Sequence, residues 1–341
     1  MELSLFDFNL PKELIATKPC YPRDHSTLMA FGAKGDIFLK KFYNILDFLR
    51  EGDLLCFNNS KVIKSKLVIN YNNSPIEIYL NKHVQHNIWH GFAKPARKLQ
   101  EGAILSLGNA KITILKKLEA GAIHIQFEDD LDVMKFLEQY GQMPLPPYMK
   151  RDAQVSDEVD YQTIYSQIAG SVACPTAGLH FTKELLARIE EKGVETCFVT
   201  LHVGAGTFLP IKTENILEHK MHSESFEITK DAALKINNAK KNGRRIISVG
   251  TTSLRALESA YQNGGVSAGS YDTDIFITPG FKFNVVDSMI TNLHLPKSTL
   301  LLLVSAFVGR EKIMKAYQYA IDNKLRFFSY GDAMILDRVD V

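Results

Sequence analysis

The second half of this chain alternates two patterns, and that alternation limits its fold more than any other feature. "FTKELLARIEEKG" places apolar residues at helical spacing behind a capping Thr182 and stops at Gly193, and "VETCFVTLHV" follows as a strand. The pairing recurs in "TKDAALKINNAKKNG" with "RRIISVG", "TTSLRALESAYQNGG" with "TDIFITPG", and "REKIMKAYQYAIDNK" with "RFFSYGDAMIL". Helices that alternate with buried strands cover a sheet, so the expected class is α/β, with a largely parallel or mixed sheet, open or curled into a barrel. Near the start, "YNILDFLREG" reads as a helix and "DLLCF" as a buried strand of the same domain.

Between Lys61 and Asp130 the pattern changes. "IEIYL", "AILSLG", "KITILKKL" and "AIHIQF" are short runs rich in branched residues, separated by Gly, Asn and Pro, which is a hairpin pattern. The simplest architecture is a discontinuous α/β domain, residues 1–60 and 150–341, interrupted by a small all-β, barrel-like domain at residues 61–149. A length of 341 residues fits two domains. The insert also concentrates charge. From Lys61 to Ala120 there are ten Lys and Arg against three Glu, an excess of seven on a chain whose net charge is +2. Such a basic face suits a polyanion; an ordinary solvated surface is the competing reading.

The longest apolar run, "LLLLV" at Leu300 to Val304, falls far short of the roughly 20 residues of a membrane span. The opening "MELSLFDFNLPKEL" lacks a secretory pattern, so a cytoplasmic location and no membrane partner are expected. Cys20, Cys56, Cys174 and Cys197 are scattered, without the spacing of a disulfide framework or thiolate metal site. Among the histidines only "HKMHSE" offers close spacing, a weak zinc signal, and no metal is expected.

Several segments have the composition of a ligand site. His180 in "PTAGLHFT" and His202 in "TLHVGAGTF" stand among small residues, Thr176, Gly178, Gly204 and Gly206, that leave room for a substrate. The second segment fails as a dinucleotide loop, because G-x-G-x-x-G needs Gly where Leu209 stands. Gly250, Thr251, Thr252 and Ser253 start a helix after a strand, a setting that offers N–H groups to an anion or simply caps the helix. Asp332 in "FFSYGDAMI" reads as a base or as an Asp closing a turn. Tyr161 and Tyr165 read as core rings or as platforms for an unpaired base, and Ser298 as a helix cap.

Taken in order, "GQMPLPPY", "YQTIYS", "PTAGLHFT", "VTLHVGAGTF", "MHSE", "VGTTSLRALES", "TNLHLPKSTLLLLVSAF" and "RFFSYGDAMI" closely resemble the S-adenosylmethionine:tRNA ribosyltransferase-isomerase family of queuosine biosynthesis, as do "FDFNLPKELIATKP" and "GDLLCFNNSKVI". The resemblance spans nearly the whole chain. It implies an α/β domain with an inserted β-barrel domain. It also implies transfer and isomerisation of the ribosyl part of S-adenosylmethionine onto 7-aminomethyl-7-deazaguanine at the tRNA wobble position. The products are epoxyqueuosine-tRNA, adenine and methionine. S-adenosylmethionine is then a cosubstrate, the partner is that tRNA, and no cofactor is implied. A monomer is expected.

Such chemistry needs a base for the acidic C5′ proton, an acid near adenine and a water-poor pocket. His180 or His202 is the expected base, with Asp332 the alternative. Gly250 to Ser253, with Arg255, is expected to hold the methionine carboxylate. Lys61, Lys64, Lys66, Lys94, Arg97 and Lys98 are expected to hold tRNA phosphates. Three positions depart from the family pattern: Thr27 replaces an Arg that would contact an anion, Cys174 replaces an Ala, and Leu293 replaces a Phe that would supply a stacking ring. A non-catalytic tRNA-binding protein and a methyltransferase are the rival readings.

Overall fold

The computed structural model describes residues 1–31, 36–208, 211 and 213–339, without the side chains of Ala120, Thr207 and Phe208. Leu209 and the loop that completes "HVGAGTFLP" thus fall partly outside the described residues. The chain divides into two units, Met1–Ser60 with Asp160–Ile168 and Pro175–Val341, and Lys61–Val159 with Ala169–Cys174. Residues 150–159 and 169–174, expected with the larger unit, cluster with the smaller one.

Among the described residues the larger unit holds a nine-stranded mixed sheet in the order Gly269–Thr273, Glu224–Ile228, Glu195–Leu201, Leu54–Asn58, Ile246–Val249, Ser288–Asn292, Ala333–Asp337, Thr27–Phe31, Ile37–Lys41. Glu195–Leu201, Leu54–Asn58, Ile246–Val249 and Ser288–Asn292 run parallel to one another. Their carboxyl ends therefore share one edge of the sheet, where open α/β sheets bind ligands. Ala333–Asp337 runs the other way, with Ala333 opposite Asn292 and Leu28 opposite Ala333. Two reversed strands thus bring their starting residues, Ser26, Thr27 and Asp332, to that same edge.

The helices follow the capping chemistry read from the sequence. Thr182 Oγ1 accepts from Leu185 N–H ahead of Lys183–Glu191, Thr229 does so for Lys230–Lys241, and Ser298 for Thr299–Val308. Leu185 and Ile189, one turn apart, bury against Phe57, Phe181 and Ile247 in one core. Phe57 is fully buried, and Phe57→Ala would cost about 3–5 kcal/mol.

Three expected elements differ. "YNILDFLREG" forms a 3-10 helix at Phe42–Asp47 rather than an α-helix. "TDIFITPG" is mostly irregular because the strand lies upstream, at Gly269–Thr273. Only Ala333–Asp337 of "RFFSYGDAMIL" is strand, since the preceding turn is pinned by Asp332.

In the smaller unit six antiparallel strands follow the order Lys66–Tyr71, Ser74–Gln85, Ile88–Lys94, Ala122–Phe127, Ala110–Lys117, Ile104–Leu107. The first and last strands approach each other, which gives a nearly closed barrel. Tyr71 pairs Ser74 across a two-residue turn in which Asn72 and Asn73 both have positive φ, 49° and 57°. Asn tolerates that conformation, which matches the strand twist. Leu67, Ile69, Ile76, Ile78, Ile123 and Ile125 alternate inward, and Phe136 and Leu137 of the helix Val133–Tyr140 join that core.

Candidate functional site

Residues from four strand ends meet at this carboxyl edge of the larger sheet. Asn292 ends one strand and faces Thr176 and His180. Thr176 Oγ1 donates to Asn292 Oδ1 (3.0 Å), and Asn292 Nδ2 donates to His180 Nε2 (3.1 Å). The proton of His180 therefore sits on Nδ1 and is donated to Ser26 Oγ at 2.7 Å. The ring stacks on Phe42, with centroids 4.9 Å apart. Burial, with Arg326 and Arg23 nearby, pushes the His180 pKa down to about 3. It is a neutral ring with both nitrogens engaged, suited to fixing Ser26 and Asn292 rather than to taking a proton.

His202 differs. It follows the strand Glu195–Leu201, its backbone N–H bonds Ser225 (2.9 Å), and its buried Nδ1 has no partner among the described residues. Burial lowers its pKa, opposed in part by Glu227, so the ring is neutral at working pH. Two residues on, Gly204 N–H donates to Glu224 Oε1 (2.9 Å), and Glu224 Oε2 receives Arg255 Nη1 in a buried ion pair. Arg255 Nε and Nη2 have no hydrogen-bond partner among the described residues; nor has the buried Oγ1 of Thr252, one turn earlier. Buried polar atoms are almost always paired in a folded protein, so this group of orphans marks where a ligand's polar atoms fit.

Gly250 has φ +91°, a conformation that favours glycine, and it begins the helix Thr251–Ser259 with Ala177 of the Thr176–His180 turn alongside. That contact places the two histidine regions on either side of one turn. Thr251 is buried at the helix start. Ser253 turns its hydroxyl back to the Val249 carbonyl (2.9 Å), so it is not free to hold a carboxylate as the sequence reading expected, whereas Arg255 gives only Nη1 to Glu224. Gly178 admits Tyr165: a Cβ there would fall 1.9 Å from the phenol oxygen. Gly206 lies under the ring of His222. Both glycines accommodate protein side chains.

Asp332 is a pin. Its Oδ1 accepts from Thr27 N–H (2.8 Å), its Oδ2 from Arg326 N–H (2.7 Å), and Arg326 Nη2 stands 3.6 Å away. With both oxygens occupied it closes the turn, the alternative to a base. Leu293 is fully buried, so its position belongs to the core and offers no stacking surface. Tyr161 and Tyr165 are likewise core rings.

In the smaller unit the six expected phosphate contacts divide. Lys61, Lys94, Arg97 and Lys98 are exposed, with Lys98 bonded to Ser74 Oγ (2.8 Å). Lys64 pairs with Glu138 (3.2 Å) and Glu158 (3.0 Å), and Lys66 with Glu77 (2.8 Å). Burial works against both ammonium charges, but those carboxylates outweigh it and raise both pKa values. These two lysines are neutralised within their own unit and drop out of the phosphate set.

Sequence reasoning missed Ser26, Glu224 and Arg326. The signal for Glu224 was its place in "MHSE", two residues after a histidine and close to the small-residue loop. Arg326 opens the quoted "RFFSYGDAMI" and Ser26 precedes Thr27, but only strand register brings the two to the site.

With this geometry in view, three comparisons bear on the chain. A family described as "Queuosine biosynthesis protein" matches residues 3–336. The chain belongs to this queuosine biosynthesis protein family. Relatives from Rickettsia bellii (strain RML369-C) and Rickettsia felis, both named S-adenosylmethionine:tRNA ribosyltransferase-isomerase, are 55% and 52% identical over 99% of this chain and 99% and 100% of theirs. A crystal structure of S-adenosylmethionine tRNA ribosyltransferase from Thermotoga maritima is 34% identical, with TM-score 0.56, covering 97% of this chain and 99% of that one. Within the queuosine biosynthesis protein family, the edge that carries His180, His202 and Arg255 is the candidate active site. No helix among the described residues is long and apolar enough to cross a membrane.

Proposed function

We infer that this chain is an S-adenosylmethionine:tRNA ribosyltransferase-isomerase. It moves the ribosyl group of S-adenosylmethionine onto 7-aminomethyl-7-deazaguanine in tRNA and releases adenine and methionine. Full-length similarity to relatives of that name supports the activity. The observation that supports a place for it is a set of atoms buried without hydrogen-bond partners among the described residues, His202 Nδ1, Thr252 Oγ1 and Arg255 Nε and Nη2, on one sheet edge.

The chemistry divides among these groups. His202 takes the C5′ proton next to the sulfonium, which leaves an ylide; a neutral ring with a vacant nitrogen lone pair suits that task. The C1′–nitrogen bond to adenine then breaks as the ribose opens. The substrate amine forms a new bond to the ribosyl carbon and gives up a proton, adenine leaves with one, and closure of the epoxide expels methionine as its neutral thioether. Arg255, held by Glu224, and Thr252 orient the nucleoside through their unpaired donors. His180 is a positioning residue for Ser26 and Asn292. In the smaller unit Lys61, Lys94, Arg97 and Lys98 hold tRNA phosphates, and the chain works as a monomer without a metal or other cofactor.

One assay separates this reading from its rivals. The protein is incubated with S-adenosylmethionine and tRNA bearing the aminomethyl deazaguanine. Equal release of adenine and methionine is expected. S-adenosylhomocysteine in their place would indicate a methyltransferase, and bound tRNA without either product would indicate a binding protein.

A further inference from the structure

Charge at the sheet edge is distributed unevenly. On the His202 side, Arg255 faces Glu224. On the His180 side, Arg23 and Arg326 both line a small pocket, with Ser26, Ser329, Cys20 and His180, and no Asp or Glu is among its lining residues. The acids that partner these guanidiniums stand outside the lining. Asp332 has both oxygens filled by backbone N–H groups, and Asp160, 3.9 Å from Arg23, accepts the Tyr21 hydroxyl. Arg326 Nη2 is buried without a hydrogen-bond partner among the described residues.

Hydrogen-bond polarity points the same way. Because Asn292 donates to His180 Nε2, the ring donates from Nδ1 to Ser26 Oγ. That leaves the Ser26 hydroxyl hydrogen for a group in the cavity. Arg23 gives Nη1 to the Gln162 carbonyl (2.7 Å), so the Ser26 hydroxyl and Arg326 Nη2 are the donors turned to the pocket, with the Arg23 charge beside them, a set that matches a planar or tetrahedral oxyanion.

We propose that this cavity is an oxyanion subsite in which Arg23, Arg326 and Ser26 hold a carboxylate or phosphate of a substrate. The proposal rests on the activity inferred above, whose substrates carry one group of each kind: the methionine carboxylate of S-adenosylmethionine and the backbone phosphates of tRNA. It gives the carboxylate a place apart from Arg255, whose charge is already paired with Glu224.

Cys20 lines the cavity and is half-buried, whereas Cys56, Cys174 and Cys197 are buried, so its alkylation reports occupancy without turnover. Iodoacetamide labelling of Cys20, located by mass spectrometry, is followed with S-adenosylmethionine, its decarboxylated form, tRNA, or sulfate alone. A ligand at ten times its Kd should slow labelling about tenfold if it fills the cavity. Protection by S-adenosylmethionine but not by its decarboxylated form assigns the carboxylate; protection by tRNA alone assigns a phosphate. Arg326→Gln should abolish the protection and Arg326→Lys restore part of it, each variant first checked by thermal melting. Equal protection by S-adenosylmethionine and its decarboxylated form overturns the proposal. So do bound substrates that leave labelling unchanged, or protection that survives in both Arg23→Gln and Arg326→Gln. If neither substrate binds, the inferred activity fails instead. The subsite is then judged by sulfate, which must protect wild type and not Arg326→Gln.

Discussion

The two histidine regions of the larger unit differ in one respect: whether the protein itself satisfies their polar atoms. Around His180 the chain Thr176–Asn292–His180–Ser26 leaves no nitrogen unpaired. Around His202, an imidazole nitrogen, a threonine hydroxyl and two guanidinium nitrogens are buried without hydrogen-bond partners among the described residues. A completed network holds shape and adds stability. An incomplete one costs stability until a ligand completes it, which is the usual condition of a binding site. On the function proposed above, His180 belongs to the scaffold that aims Ser26, and His202 to the surface that meets the substrate.

Changes on the two sides should separate accordingly. The largest effect is expected at the ion pair behind the open side. Glu224→Gln leaves the buried Arg255 without its charge partner and should cost about 3–5 kcal/mol, seen as a lower melting temperature together with lost adenine release. A variant that melts with wild type would show that Arg255 finds another partner. Next, His180→Gln breaks a closed network and should cost about 1–3 kcal/mol by denaturant titration. Unchanged stability would remove the contrast between the two rings.

Acid should expose the same contrast. His180 and His294 have folded pKa values pushed down to about 3, mainly by burial and, at His180, also by Arg326 and Arg23. Below about pH 6.5 the unfolded chain binds protons that these native rings refuse, so stability falls as pH drops from 6.5 toward 3. Each ring contributes up to about 1.4 kcal/mol per pH unit, and His180→Gln should flatten the slope by one ring's share. A slope unchanged in His180→Gln would mean that this ring protonates in the native state. The smallest effect on stability is expected on the exposed lysines. Reversing Lys61, Lys94, Arg97 and Lys98 together should shift stability by less than about 0.5 kcal/mol each while weakening tRNA binding and reducing its salt dependence. Reversing the paired Lys64 and Lys66 should destabilise the smaller unit instead.

Local rules carried much of this molecule. The caps at Thr182, Thr229 and Ser298 and the alternating runs of the barrel were legible, because helix starts and hairpins depend on neighbouring residues. The strand ends that carry His202 and Gly250 were legible for the same reason. The turn-closing role of Asp332 was one of two readings; the placing of Ser26 and Arg326 beside it was not legible, since it depends on two reversed strands that align Ala333 with both Asn292 and Leu28. Composition also overstated the basic face: sequence counts Lys64 and Lys66 as free cations, and only the fold supplies Glu138, Glu158 and Glu77 as their partners.

The contrast is tested most directly by single-turnover adenine release in His202→Gln, with its melting temperature measured alongside. A ring whose Nδ1 has no hydrogen-bond partner among the described residues should be replaceable without loss of stability, while the rate falls about 10²–10⁴-fold as a general base is lost. A variant that melts with wild type and releases adenine at the wild-type rate would contradict the assignment of the open site to the reacting ribose.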